Sequence, residues 1–148
     1  MAPYPFTNEG DQWVLHLDDY AVVQICFDYS VTLNIGNTSP VYFGIGIANR
    51  FSFMDAGKIH AVDVNADPFS GSALLALRNR VVHEIAIAPE EGVLHIRFAG
   101  DAAIVVEANP QYEAWQLVFS EAGQESRVIC MPGGGLSIWS PSDERESN

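Results

Sequence analysis

The chain has 148 residues, of which 48% are hydrophobic and 18% are charged. Nineteen Asp and Glu residues are balanced by only seven Lys and Arg residues, so the formal net charge is −12. This length suits one domain that buries its core without disulfides or a metal. An acidic surface repels phosphate backbones and anionic lipids, so we expect no nucleic acid and no membrane partner but a basic protein partner.

The N-terminal residues MAPYPFTNEGDQ lack the basic segment and apolar run of a secretory signal. No apolar stretch approaches the roughly 20 residues that span a bilayer. We therefore expect a cytoplasmic protein. Its two cysteines, Cys26 and Cys130, lie inside predicted strands, so we expect two buried thiols in a reducing compartment.

Apolar and polar residues alternate through the first third of the chain, which predicts half-buried antiparallel strands. The alternation runs over Trp13–Leu17, Val23–Phe27 and Val31–Ile35. It continues from Val41 to Met54, where glycines suggest a bend or bulge, and a short strand follows over Lys58–Val64.

The segment PFSGSALLALRNR, Pro68 to Arg80, interrupts this alternation and predicts one short helix. Asp67 is its expected cap, with Pro68 at the first helical position. Asp63, Asn65 and Asp67 also have the spacing of the first half of a calcium loop. That loop needs Gly at its sixth position and Glu at its twelfth, where this chain has Pro68 and Leu74, so we favour the helix entry.

Strands resume at Val81 and are divided by turn residues. The predicted strands are Val81–Ala88, Val93–Phe98, Ala102–Ala108, Trp115–Ser120, Arg127–Met131 and Leu136–Trp139. The stretch CMPGGGLSIW contains three glycines that could cradle a phosphate. Neither a helix nor a Lys follows them, as a phosphate loop requires, so we interpret them as the turn between two strands.

Two segments, Val22–Ile35 and Val81–Phe98, are similar in sequence, and each predicts a hairpin. An ancient duplication would explain this similarity, but we favour chance resemblance between short alternating strands. In the second hairpin, a four-residue turn places Glu84 opposite Arg97 and Ala86 opposite His95. The sequence thus predicts a mostly β (α+β) fold: an antiparallel meander of about nine to ten strands with one short helix, over residues 1–139, followed by a disordered polar tail over 140–148.

Residues with catalytic or metal-binding potential are scattered. His16, His60, His83 and His95 lie singly on different strands without the spacing of a zinc site. No G-x-S-x-G motif is present, and neither cysteine has basic neighbours that would activate it. We therefore expect no catalytic residues, no metal and no cofactor.

The motif YEAW, Tyr112 to Trp115, is followed by VICMPGGGLSIW, Val128 to Trp139, and preceded by LLALRNRVVHEIAI, Leu74 to Ile87. Together they resemble a family of small, uncharacterised bacterial β-rich domains, from about Asp63 onward and more faintly over Trp13–Ile35. The resemblance implies a β-rich fold and no catalytic residues.

A small acidic β-rich domain without catalytic motifs also resembles immunity proteins, which cover the active site of a toxin. We predict such an inhibitor, with contacts from acidic turn residues and two tyrosines. An apolar pocket lined by Tyr42, Phe43, Phe51 and Phe53, or an enzyme site using His60, Asp63 or His95, are the alternatives. The predicted contact residues are Asp18, Asp19, Asp28, Tyr29, Glu90, Glu91, Asp101 and Tyr112.

Overall fold

Thirteen strands and one 3-10 helix form the protein in the computed structural model, which describes residues 2–141. The elements are β1 (Thr7–Glu9), β2 (Gln12–His16), β3 (Ala21–Phe27), β4 (Val31–Gly36), β5 (Tyr42–Ile47), β6 (Phe51–Asp55), β7 (Lys58–Val62), the 3-10 helix (Pro68–Leu77), β8 (Val82–Ala88), β9 (Val93–Phe98), β10 (Ala102–Val106), β11 (Trp115–Glu121), β12 (Gln124–Cys130) and β13 (Leu136–Trp139). The mostly β class is confirmed. The predicted number of strands was too low.

The strands form two antiparallel sheets instead of one meander. The seven-stranded sheet has the order β1-β2-β8-β9-β10-β6-β7, and the six-stranded sheet has the order β13-β12-β11-β5-β4-β3. The predicted strand from Val41 to Met54 is in fact two strands, because the chain crosses between the sheets at Ala48–Arg50. Most consecutive strands pair as hairpins. Each hairpin lies within one sheet, and both sheets contain several of them.

Both sheets direct alternate side chains into one continuous core. Phe53 and Ile85 reach it from the seven-stranded sheet, and Phe43 and Trp115 from the six-stranded sheet. Trp115, the last residue of the YEAW motif, is 1% exposed. The two sheets therefore form a sandwich.

The 3-10 helix lies along one open side of the sandwich and contacts both β7 and β3. Asp67 caps it by accepting a hydrogen bond from the Phe69 N–H at 3.0 Å, with Pro68 in the first turn, as predicted. The helix buries Gly71, Leu74 and Leu77, which are three residues apart. This spacing matches the three residues per turn of a 3-10 helix.

Both similar segments form hairpins, β3–β4 in one sheet and β8–β9 in the other. Each has a register shift after its buried valine, between Val22 and Gln24 and between Val82 and Glu84. The predicted pairs in the second hairpin, Glu84 with Arg97 and Ala86 with His95, are confirmed.

The three glycines form the β12–β13 turn, as predicted, and also meet the β8–β9 turn. A Cβ atom on Gly134 would lie 2.8 Å from the carbonyl oxygen of Glu91, and one on Gly92 would lie 2.6 Å from that of Gly134. The indole N–H of Trp115 donates to the Gly92 carbonyl at 2.9 Å. Backbone contact between the two turns thus closes this end of the sandwich, which we call the glycine end.

The two cysteines differ in their surroundings. Cys130 is buried beside Gly92, and this burial raises the pKa of its thiol. Cys26 is exposed, contrary to the prediction, because it lies on the outward face of β3, opposite Thr32.

Candidate functional site

The predicted contact residues are all exposed, but they divide between the two ends of the sandwich. The strand registers place the β2–β3 turn and the β9–β10 turn at the end opposite the glycine end. Asp18, Asp19 and Asp101 therefore lie apart from the other predicted residues. The glycine end has Asp28, Tyr29, Glu90, Glu91 and Tyr112.

The loops of the glycine end are strongly acidic. Arg50 is the one Lys or Arg that the strand registers place there among residues 2–141. The acidic residues in these loops are Asp11, Asp28, Asp63, Asp67, Glu90, Glu91, Glu107 and Glu113. This end therefore has a negative electrostatic potential that extends about one Debye length, roughly 8–10 Å, into the solvent.

Exposed apolar side chains lie next to these acidic loops at one corner of the glycine end. At this corner the β3–β4 turn lies beside the 3-10 helix. Tyr29 and Phe69 are 88% and 84% exposed. Further apolar side chains along β3 and the helix are partly exposed and extend this surface. We call the set Val23, Phe27, Tyr29, Phe69 and Leu75, with the carboxylates of Asp28, Asp63 and Asp67, the Tyr29–Phe69 surface.

Contacts between the β3–β4 turn and the helix hold this surface together. The side-chain amide of Asn65 donates to the Tyr29 carbonyl at 3.1 Å. The ring of Phe27 packs on the helix backbone, since a Cβ on Gly71 would lie 2.7 Å from its Cε1. The side chains of Tyr29 and Phe69 therefore project from backbone segments that these contacts hold in place.

The three carboxylates of the surface accept only local hydrogen bonds. Asp28 accepts from the N–H and hydroxyl of Ser30, and Asp63 accepts from the Ala66 N–H at 3.2 Å. Asp67 accepts from the Phe69 N–H. None of the three has a salt-bridge partner among residues 2–141. They present uncompensated negative charge beside exposed aromatic rings.

The Tyr29–Phe69 surface is separate from Glu90 and Glu91. Tyr29 follows the edge strand β3, whereas Glu91 lies against the β12–β13 turn. β3 and β12 are four strand spacings apart in the six-stranded sheet, about 19 Å. The predicted residues of the glycine end therefore cannot form one compact patch.

A polar cleft of about 610 Å³ opens at the glycine end between β6, β7 and the loop after β10. Its base is held by Asn49, which donates to the Glu107 carbonyl at 2.9 Å and accepts from Asn109 at 3.3 Å. The hydroxyl of Tyr112 also donates to Asn49, at 3.0 Å. Tyr112 is half exposed, but its polar atom is engaged within the protein.

An apolar groove of about 450 Å³ lies on the side of the sandwich away from the helix. Its walls are the segment before β1 and the strands β12 and β13. The ring of Tyr4 packs edge-on against Phe119, with 5.7 Å between centroids. Its hydroxyl donates to Glu121 at 3.2 Å, and this carboxylate raises the pKa of the Tyr4 phenol.

The residues of the predicted apolar pocket do not lie together, and neither do those of the predicted enzyme site. Phe43 and Phe53 belong to opposite sheets and fill the core. His60 stacks on Phe53 at 5.8 Å, and His95 is exposed on β9. Within residues 2–141, no group of three or more His, Cys, Asp or Glu side chains is placed to hold a metal ion.

The sequence matches the model of a family of unknown function, DUF6188, over residues 13–140. The chain belongs to this family. No curated protein and no solved structure is matched significantly. The predicted resemblance to an uncharacterised family is therefore confirmed, and the resemblance to immunity proteins stays a prediction.

The DUF6188 match includes β2 from its second residue, every strand from β3 to β13, and the 3-10 helix. β1 and the segment before it, which forms one wall of the apolar groove, lie outside the match. No helix within residues 2–141 has both the length and the apolar character to cross a membrane. Of the predicted tail over 140–148, residues 142–148 lie outside the described residues.

Sequence analysis predicted two members of the Tyr29–Phe69 surface of this DUF6188 domain as contact residues, Asp28 and Tyr29, and missed the other six. Two of the missed residues, Phe69 and Leu75, belong to the helix. Both lie on one exposed face of the helix, rotated by about 120° from the face of Gly71, Leu74 and Leu77. Inspection of the segment at a period of three would have separated these two faces.

Proposed function

We propose that the protein is an acidic protein-binding domain that inhibits a basic toxin or enzyme by covering its active site. Its contact surface is the Tyr29–Phe69 surface. The observation that supports this proposal is the pair of aromatic rings, 88% and 84% exposed, beside carboxylates that have no salt-bridge partner among residues 2–141. Exposed apolar patches rimmed by polar groups are typical of interaction sites.

The two kinds of group have different roles in the proposed complex. The aromatic rings of Tyr29 and Phe69 are the anchors that lose contact with water on binding and slow dissociation. The carboxylates of Asp28, Asp63 and Asp67 pair with Lys or Arg of the partner and accelerate association, so binding weakens as salt rises. A basic cleft that binds an anionic substrate is the complementary surface.

The test is affinity capture from the native host's lysate at about 0.15 M salt, where surface charges beyond about 8 Å are screened. Tyr29→Ala combined with Phe69→Ala removes the anchors. Asp28→Asn combined with Asp67→Asn removes two charges but keeps the side-chain oxygens that accept hydrogen bonds. Asp18→Asn combined with Asp101→Asn is the control, since it removes the same charge at the opposite end.

We expect the wild type and the control to retain one basic protein, whose activity falls as the chain is added. The anchor variant loses this protein, and the Asp28/Asp67 variant retains less of it. Capture of no basic protein, or equal weakening by the control variant, would contradict the proposal.

A further inference from the structure

The polar cleft at the glycine end is lined by charges of both signs, from Arg50, Asp63 and Glu107. Arg50 immediately precedes β6, whereas Asp63 and Glu107 immediately follow β7 and β10. β6 pairs with β7 on one side and with β10 on the other. These antiparallel registers, continued by one or two residues, place Arg50 between the two acidic residues.

The three charged side chains do not neutralise one another. None of them has a salt-bridge partner among residues 2–141, although each carboxylate is on a strand next to that of Arg50. Asp63 accepts one hydrogen bond, from the Ala66 N–H at 3.2 Å, through Oδ1. The cleft therefore offers a guanidinium group and two carboxylates to a ligand.

Small side chains form the floor of the cleft and leave space beside these charges. Ser52 on β6 lies between Ala61 on β7 and Val105 on β10. The loop with Asn109 and Pro110 also lines the cleft. The volume of about 610 Å³ is within the range of roughly 300–1,000 Å³ that is typical of small-molecule sites.

The charges of the cleft select the chemical class of the ligand. An anion is repelled by a chain of net charge −12, and a simple cation is repelled by Arg50. A molecule with one carboxylate and two cationic groups complements one guanidinium group and two carboxylates. Basic α-amino acids have this set of charges. Their aliphatic chain separates the two cations, which suits carboxylates on strands two spacings apart, about 10 Å.

We propose that the polar cleft binds a basic α-amino acid. Its carboxylate pairs with Arg50, and its two cationic groups pair with Asp63 and Glu107 through charge-assisted hydrogen bonds. This site goes beyond the proposed inhibitor function and does not depend on it, because no protein partner takes part. Asp63 belongs to both sites, so the bound amino acid lies next to the Tyr29–Phe69 surface.

The probe is lysine, added to the isotope-labelled full chain in an NMR titration at slightly acidic pH, where α-amino groups are charged. Lysine amide lacks the carboxylate and has two positive charges. Nε-acetyl-lysine lacks the side-chain cation. Attraction by the net charge of the protein alone makes lysine amide bind more tightly than lysine, whereas the proposed site reverses this order.

We expect lysine to cause saturable shifts of the backbone amide signals of residues 49–52, 61–63 and 105–109. We expect lysine to bind about three- to tenfold more tightly than either analogue, because each analogue lacks one charged contact.

Arg50→Gln is the test variant. Arg78→Gln is its matched control, because Arg78 is exposed, caps the far end of the helix and has no salt-bridge partner among residues 2–141. We expect Arg50→Gln to bind lysine about three- to tenfold more weakly and to lose the preference for lysine over lysine amide. Arg78→Gln keeps this preference. Unchanged signals outside the cleft show that both variants are folded.

Shifts that do not saturate, tighter binding of lysine amide than of lysine by the wild type, or an equal loss in Arg78→Gln would each overturn the proposal. Shifts confined to the turn of Glu90 and Glu91 would also overturn it, because lysine would then bind to acidic residues outside the cleft.

Discussion

Gly134 and Gly133 are neighbours with different constraints. Both have positive φ values, 105° and 87°, but only Gly134 lies against the backbone of Glu91. We predict that Gly133→Ala lowers the free energy of unfolding by about 1–2 kcal/mol through the left-handed conformation alone. Gly134→Ala adds about 1–3 kcal/mol for the steric overlap with the β8–β9 turn.

Urea unfolding of both variants and of Gly135→Ala measures this difference. A Cβ on Gly135 has no atom within 4 Å and its φ is not positive, so it serves as the control. Equal destabilisation by Gly133→Ala and Gly134→Ala would contradict the contact between the two turns.

Asp55 and Arg80 join the β6–β7 turn to the chain that follows the helix, with 2.9 Å between Oδ1 and Nη1. The hydrogen bond from Arg80 lowers the pKa of Asp55 below its ordinary value of 3.8. The stabilisation is therefore fully present above pH 3.8 and is lost as the pH falls through the lowered pKa.

We predict that Asp55→Asn is less stable than the wild type at neutral pH, and that the difference disappears in acid. Free energies of unfolding measured from neutral pH to below the lowered pKa test this. Asp101→Asn is the control, because it removes a carboxylate at the same end of the sandwich that has no salt-bridge partner among residues 2–141. A constant difference for Asp55→Asn would refute the prediction.

The 3-10 helix offers a matched pair of leucines. Leu74 is fully buried, whereas Leu75 is 62% exposed. We predict that Leu74→Ala costs about 2–5 kcal/mol of stability, the range for a truncated core leucine. Leu75→Ala changes stability by less than about 0.5 kcal/mol, as is usual for a surface position. Similar thermal shifts for the two variants would show that the helix does not bury its Gly71–Leu74–Leu77 face.

Alternation predicted the strands because half-buried strands have a period of two. It located β4, β9 and β13 closely, and the turn at the three glycines. It did not divide Val41–Met54, because β5 and β6 alternate alike although they belong to different sheets. β1 was missed since its three residues are all exposed. Local pattern predicts strands, but the assignment of strands to sheets depends on contacts distant in sequence.

The candidate site was predictable in part. The turn position and residue type of Asp28 and Tyr29 indicated exposure, and both belong to the Tyr29–Phe69 surface. Phe69 joins them only because the helix lies beside β3, which no local pattern reveals. For the same reason the sequence could not show that Asp18, Asp19 and Asp101 lie at the other end.

The distribution of charge over the whole molecule leads to the central claim, that a basic protein binds at the Tyr29–Phe69 surface. Hydrogen exchange of the full chain, with and without the captured basic partner, tests this claim most directly. We predict slower exchange over residues 27–30 and 63–71 in the complex, and unchanged exchange in the β2–β3 and β9–β10 turns. Protection of those two turns, with residues 27–30 and 63–71 exchanging as in the free chain, would contradict it.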